Sequence, residues 1–307
     1  MKSYIYALGF FDGVHAGHQA LLRECLWLAH EHGAVPGVVT FGSHPDTLVF
    51  GQTPALINTP SDRERLLCAF GMERIVTLPF NREMCATHWR DFLAMLERDY
   101  GAVGFVCGED FRFGSKGMGT APLMADYCGE KRIPCSVVPE QLVRGIRVSS
   151  THIRTLIEQG ETELAAEFLG HPHMLTGPVV AGKQLGRTLG IPTANLRFPD
   201  GLVVPKFGVY ACLARVGDGV HPAVTNVGTR PTVNGSGITI EPWILDFSGD
   251  LYGRTLTLEF YRFLRPERRF ESLEALQAEI RRNAEQTREY LNKYSYSQPC
   301  FIGQNRL

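Results

Sequence analysis

The stretch YIYALGFFDGVHAGHQALLRECLWLAHEH, residues 4–32, changes its period in the middle. Its opening, YIYALGF, is a short apolar run of strand type. From Gly17 to about His32 the apolar residues recur at helical spacing. Glycines and an aspartate fill the few residues between. A strand that passes into a helix through a tight glycine loop leaves the helix N-terminus, with its free N–H groups and positive dipole end, at the strand's carboxyl edge. That is a place for an anion. His15 and His18, spaced i and i+3, can lie on one side of the first helical turn. Imidazoles there can donate hydrogen bonds to phosphate oxygens and stabilise charge that grows on phosphorus during a displacement. An isolated H-x-x-H reads more readily as two exposed loop histidines. The strand before it, the glycines on both sides and the helix behind it favour the anion site.

Working outward, AVPGVVTF, RIVTLPF, AVGFVC and CSVVP read as further buried strands. SDRERLLCAF, THWRDFLAMLERDY and a segment near 121–131 read as the helices between them. Ser61 followed by Glu64 spells a capping box for the first of these helices. The alternation predicts a parallel sheet covered by helices on both faces, with ligands beyond the carboxyl ends of its strands. Two more stretches fall at that edge. GEDFRFGSKGMG (108–119) is a glycine-rich loop with Arg112 and Lys116, and RVSSTHIRTLIEQG (147–160) sets Ser149, Ser150 and Thr151 at a helix start with Arg154 one turn in. Hydroxyls at a helix start serve as N-caps, and phosphate-binding hydroxyls occupy the same place.

After about residue 170 short β-rich runs take over, separated by Gly, Pro, Asn and Asp, which favours an antiparallel barrel or sandwich. One amphipathic helix follows at Leu273–Asn292. The boundary near LGHPHML divides the chain into domains at 1–170 and 174–293, with a tail at 294–307 that has no clear period. In GKQLGRTLGIPTANL (182–196), three glycines precede Pro-Thr-Ala-Asn. This is not the G-x-x-x-x-G-K-[ST] loop, yet a glycine loop can bring backbone N–H groups to phosphates. Thr193 and Asn195 alternate along an extended segment and face one way. Two such oxygens suit Mg²⁺, which shares its oxygen ligands with substrate phosphates; the plainer reading is a turn that enters a strand. Glu241, in TIEPWILDFSGDLYGRTLTLEF, reads by default as a strand carboxylate facing water.

Bulk properties narrow the function classes. With 307 residues, 44% hydrophobic and 21% charged, the chain reads as an ordinary globular protein of two domains. A net charge of −1, with no basic stripe interleaved with aromatics, argues against a nucleic-acid partner. No apolar run reaches the ~18 residues of a membrane span, and the N-terminus lacks the features of a signal peptide. Eight scattered cysteines form no C-x-x-C pair, so zinc and thioredoxin-type chemistry are poor readings and a reducing cytoplasm is expected. Oligomeric state has no signature in the sequence.

Together the motifs resemble the prokaryotic bifunctional riboflavin kinase/FAD synthetases. The family pattern G-x-F-D-G-x-H-x-G-H appears as Gly9, Phe11, Asp12, Gly13, His15, Gly17 and His18. D-F-x-F-G appears as Asp110, Phe111, Phe113 and Gly114, and S-S-T-x-I-R as Ser149, Ser150, Thr151, Ile153 and Arg154. TFGSHP (40–45) matches a further loop. The second half resembles the riboflavin kinase domain from about Gly177 to Leu291. Its nucleotide motif appears as Gly182, Gly186, Arg187, Leu189, Gly190, Pro192, Thr193, Ala194 and Asn195. Its second stretch appears as Glu241, Leu245, Asp246, Phe247, Asp250, Leu251, Tyr252 and Gly253.

The resemblance implies a Rossmann-like nucleotidyltransferase domain followed by an antiparallel β-barrel kinase domain with a long terminal helix. It implies small-molecule substrates: riboflavin, FMN and ATP with Mg²⁺. It assigns His15, His18 and Arg154 to adenylyl transfer and Glu241 to the kinase as base. Gly9, Phe11, Asp12, Asp110, Ser149, Ser150, Thr151, Gly182, Gly186 and Arg187 fall to ATP and phosphate binding, Thr193 and Asn195 to the metal. Two positions depart from the pattern: Phe10, often Asn in the family, and Pro242-Trp243 in place of a polar pair. Two alternatives follow: a riboflavin kinase whose first domain is inactive, resting on Phe10 alone, or a flavin- or nucleotide-binding regulator without turnover. Retention of Glu241, both histidines and the Pro-Thr-Ala-Asn segment argues against the regulator, since binding alone needs no base.

Overall fold

The computed structural model describes residues 2–49, 51, 53–181, 190–229 and 237–292. The chain forms two compact units, one of residues 1–56 and 63–150, the other of residues 57–62 and 151 onward.

In the first unit, β1 (Tyr4–Leu8) leads to α1 (Ala16–Glu31), then β2 (Val35–Phe41), α2 (Pro45–Val49), α3 (Pro60–Ala69), β3 (Arg74–Leu78), α4 (Arg82–Ala86), α5 (Trp89–Tyr100) and β4 (Ala102–Gly108). A short pair, β5 (Arg112–Phe113) and β6 (Gly119–Thr120), precedes α6 (Ala121–Lys131) and β7 (Cys135–Val138). The hairpin of β8 (Leu142–Val143) and β9 (Ile146–Arg147) ends the unit. The sheet runs β3-β2-β1-β4-β7 with every pair parallel. β1 is buried on both faces, which accounts for its unbroken apolar run. Leu22, Cys25, Leu28 and Ala29 of α1 are buried, and the Cys25 thiol donates to the Ile5 carbonyl at 3.2 Å. Alternate residues Tyr6 and Leu8 share a core with Phe92, Leu93 and Leu96 of α5 and Met124, Tyr127 and Cys128 of α6. From β1 the chain builds first toward β3 and later toward β7. The strand order therefore reverses between β1 and β4, and a crevice opens at their carboxyl ends.

α3 departs from its expected start. The helix begins at Pro60, and the Thr59 hydroxyl, not that of Ser61, accepts the Asp62 N–H at 3.0 Å. Proline fits the first helical position, where no N–H is needed, so the cap moves two residues upstream.

α7 (Ser150–Gln159) starts where the first unit ends. In the second unit α8 (Thr162–Leu169) is followed by β10 (His173–Pro178), β11 (Leu196–Arg197), β12 (Gly208–Val216), β13 (Gly219–Thr229), β14 (Ile238–Ile244) and β15 (Thr255–Arg265), then α9 (Leu273–Leu291). These strands form one antiparallel sheet in the order β10-β15-β12-β13-β14-β11. A bridge between Val179 and Leu196, with the Val180 N–H on the Asn195 carbonyl at 2.8 Å, joins its two ends into a nearly closed barrel. Leu175, Tyr210, Cys212, Ile240, Leu258 and Phe260 fill the interior. α9 lies on β12 and β13, with Ala284 and Leu291 buried.

His173 is the buried titratable group at the start of the barrel, 3% exposed, with Nε2 3.3 Å from the Ile57 carbonyl. Burial, against the pull of that carbonyl, lowers its pKa from 6.5 to about 4. The unfolded chain thus binds a proton that the folded chain refuses. The stabilisation is complete above the ordinary histidine value and is lost as pH falls through about 4. Between those limits it is worth roughly 3 kcal/mol, at about 1.4 kcal/mol per pH unit. Urea titrations from pH 7 to pH 4 are expected to show this loss, and His173→Gln is expected to flatten the dependence.

Candidate functional site

The turn from β1 to α1 forms one side of a cleft in the first unit. Phe11 takes φ 60°, Gly13 φ 79° and Val14 φ 41°, and Asp12–Val14 forms one 3₁₀ turn. His15 is the N-cap of α1, its Nδ1 accepting the His18 N–H at 3.2 Å. In the neutral ring the proton therefore sits on Nε2. The two imidazoles stack with centroids 3.6 Å apart and planes 11° from parallel, and Phe11 lies against His18 at 5.1 Å. Gly17 permits this, since a Cβ there would stand 3.2 Å from two atoms of the His15 ring.

The cleft encloses about 520 Å³, a volume suited to a small ligand. Gly9, His15 and His18 line it with Gly108–Arg112 after β4, Pro139–Gln141 after β7, and Arg147, Ser149 and Ser150. Ser150 Oγ donates to the Asp12 carbonyl at 3.2 Å. Burial first, then His15 and Arg63, hold His18 well below the ordinary histidine value, so its ring is neutral. The cleft carboxylates are engaged. Asp110 pairs with Arg147 at 2.5 Å, Glu140 with the same guanidinium at 2.8 Å, and Glu109 accepts the Glu140 N–H at 2.8 Å. The wall so built offers imidazole N–H groups, hydroxyls and a helix N-terminus, the donors a phosphate takes.

The second unit carries two cavities that meet at Thr193. One, of about 300 Å³, is lined by Thr193, Asn195, Phe247, Asp250 and Tyr252 among others. The other, of about 360 Å³, has Thr193, Glu241, Trp243, Arg265, Arg268 and Phe270 on its walls, with Leu276 and Ile280 of α9. Glu241 is half-buried on β14, paired in register with Asn226 of β13. Asn226 Nδ2 in turn donates to Glu267 at 3.2 Å. Hydroxyl, amide and carboxylate oxygens around the first cavity form a hard donor set that fits a divalent cation sharing phosphate oxygens. Among the described residues no group of three or more His, Cys, Asp or Glu is arranged to hold a metal alone. The donors thus suit an ion that arrives with phosphates.

Gly9, His15, His18, Asp110, Ser149 and Ser150 therefore come together in the first cleft. Phe11 and Asp12 do not line it. Both are buried. Thr151 is exposed at the start of α7 and Arg154 is half-buried one turn on, both in the second unit. Gly182, Gly186 and Arg187, and the 294–307 tail, lie outside the described residues. The sequence reading missed Arg63. It is 5% exposed and donates to the Phe10 carbonyl at 3.1 Å and the Phe41 carbonyl at 3.0 Å. It also missed Asn226, Glu267 and Arg268 as cavity walls.

Comparison with known proteins follows the same division. Residues 1–152 match the FAD synthetase family model and residues 169–291 the riboflavin kinase model. A bifunctional riboflavin kinase/FMN adenylyltransferase of Listeria monocytogenes is 32% identical over 94% of this chain and 93% of its own length. The Escherichia coli protein of that name is 34% identical over 93% and 92%. A crystal structure from Streptococcus pneumoniae, described as a macrolide-efflux protein, superposes with a TM-score of 0.85 at 31% identity, covering 96% of this chain and 95% of that one. Among the described residues of the present chain, no helix is long and apolar enough to cross a membrane.

The cap geometry makes a direct prediction. Nitrogen-15 NMR of the imidazoles is expected to find His15 at neutral pH with Nε2 protonated and Nδ1 bare. Gly17→Ala is expected to disturb that signature by pushing the ring from its cap.

Proposed function

Because the chain belongs to the bifunctional riboflavin kinase/FMN adenylyltransferase family, we propose that it makes FAD from riboflavin in two ATP-dependent steps, each in its own domain. The kinase step belongs to 174–293. Glu241 accepts the proton of the terminal ribityl hydroxyl as that oxygen attacks the γ-phosphorus of ATP, and ADP leaves. Trp243, Phe270 and the apolar side of α9 give the flavin ring a wall. Thr193 and Asn195 hold Mg²⁺ with the nucleotide, which supplies charge neutralisation at the phosphates. Thr193 lines both cavities, so acceptor hydroxyl and phosphate chain can meet beside it, within reach of Glu241. That shared wall is the observation that carries the kinase reading.

The transfer step belongs to 1–170. The FMN phosphate attacks the α-phosphorus of a second ATP, and pyrophosphate leaves. This nucleophile is already an anion, so the step needs orientation and stabilised charge rather than a base. His15 and His18 donate N–H groups to the oxygens on the five-coordinate phosphorus, and Gly9, Ser149 and Ser150 supply small or hydroxyl surfaces for the phosphate chain. Asp110 faces the same cleft on the far side of the strand reversal. The stacked, capped histidine pair at a helix N-terminus supports this reading.

Chromatography of products from parallel reactions with riboflavin and with FMN tests the division. Glu241→Gln is expected to slow FMN formation by roughly 10²–10⁴-fold, the range for loss of a general base, while FMN-to-FAD conversion continues. Equal loss of both steps in a folded variant would refute separate sites.

A further inference from the structure

At the carboxyl edge of a parallel sheet the last carbonyls of neighbouring strands run out of partners and turn their negative ends toward the ligand crevice. For an anion this is the wrong sign. In the first unit the carbonyls of Phe10, just beyond β1, and Phe41, at the end of β2, occupy this position. Both are taken by Arg63: Nη1 donates to Phe10 at 3.1 Å and Nη2 to Phe41 at 3.0 Å. The Thr40 hydroxyl donates to the same Phe10 oxygen at 2.9 Å. The guanidinium also lies over the Phe10 ring, 4.5 Å from its centroid, and the His44 ring meets Phe10 edge-on at 4.6 Å.

Phe10 immediately precedes the left-handed turn. A non-glycine residue at positive φ is strained and persists only where its surroundings over-determine it. Here Phe11 and Val14 both do so within four residues. A carbonyl fixed from two directions and a ring clamped by a cation fix the chain as it enters that turn. The aromatic at position 10, which departs from the family pattern, thereby acquires a physical role: it seats the guanidinium.

We infer that Arg63 is a positioning residue for adenylyl transfer. It bridges the ends of β1 and β2 so that the turn holds His15 and His18 in place, and it sets a positive charge behind them. The inference rests on the transfer reading above. Arg63 touches neither reacting phosphate; it acts through Phe10 and through its field on His18. The groups that share this field are His15 beside His18 and Asp12 beside Arg63. Across the cleft stand His44, Glu109, Asp110, Arg112, Glu140 and Arg147.

The test compares Arg63→Met and Arg63→Lys with the unaltered chain, using FMN and Mg²⁺·ATP. Riboflavin phosphorylation by the same preparations reports that the chain is folded. Arg63→Met is expected to lower kcat for FAD formation roughly a hundredfold, the scale of a misplacement of about 1 Å, with a much smaller change in KM for ATP. Arg63→Lys keeps the charge but cannot span both carbonyls, and is expected to recover part of that loss. In NMR titrations the His18 midpoint is expected to rise in Arg63→Met and to stay low in Arg63→Lys, which a merely structural role would not produce. Full kcat in Arg63→Met, or full kcat in Arg63→Lys, would overturn the bridging role. An unmoved His18 midpoint in Arg63→Met would overturn the electrostatic one. If the unaltered chain makes no FAD, the transfer reading itself fails; if it makes FAD and Arg63→Met makes it equally fast, only the positioning role fails.

Discussion

The four residues Phe11–Val14 must turn the chain from a buried strand into a helix while leaving the helix N-terminus open, and much of the first unit serves that constraint. Three of the four have positive φ, and only one of these is glycine. Val14 is the most costly, since a β-branched side chain at positive φ crowds its own backbone. The turn survives because its surroundings leave it no alternative. Phe11 and Val14 are fully buried. The Val14 carbonyl accepts the Gln19 side-chain amide at 3.0 Å, and the Asp12 carbonyl accepts Ser150 Oγ. What the turn obtains is a histidine at the N-cap, a position usually held by Ser, Thr, Asp or Asn. A hydroxyl or carboxylate cap satisfies one N–H and ends there. An imidazole accepts that N–H through one nitrogen and carries its proton on the other.

The stacked pair follows from the same geometry. Two imidazoles 3.6 Å apart cannot both carry charge cheaply in a half-buried site, and burial already opposes protonation of His18. Neutral rings still donate one N–H each, so they can recognise an anion without first taking up a proton.

Strand and helix positions were legible because their periods are strong. The glycine-histidine loop was legible because only a few residue types tolerate such a turn and offer donors to an anion. Other features were hidden for identifiable reasons. Ser61 and Glu64 spelled a cap, yet Pro60 had already fixed the first helical position and handed the cap to Thr59. Ile57–Asp62 groups with the second unit through partners more than a hundred residues away, such as His173, and no local pattern encodes that. Arg63 sits in a helix among Asp62, Glu64 and Arg65. In sequence it is one more polar residue, and its role depends on two carbonyls 53 and 22 positions distant. Phe11 and Asp12 were legible as motif but not as placement: the pattern marks the turn, yet both side chains are buried and neither lines the cleft.

The two units differ in what they do with carboxylates, and the difference follows the acidity of the two nucleophiles. A ribityl hydroxyl holds its proton far above neutral pH, so a kinase needs an acceptor at the attacking oxygen. Glu241 lies on a strand, in a cavity wall, beside an amide that holds Glu267. A phosphate monoester has already lost its proton, and a carboxylate aimed at it would only repel it. The first cleft does contain Glu109, Asp110 and Glu140, yet each is turned to another use: two share the Arg147 guanidinium and the third takes a backbone N–H. Part of their charge is offset at the rim by Arg147, while the imidazoles and the helix N-terminus line the opening. On this reading Arg147 matters less for any bond it makes to a ligand than for the repulsion it removes.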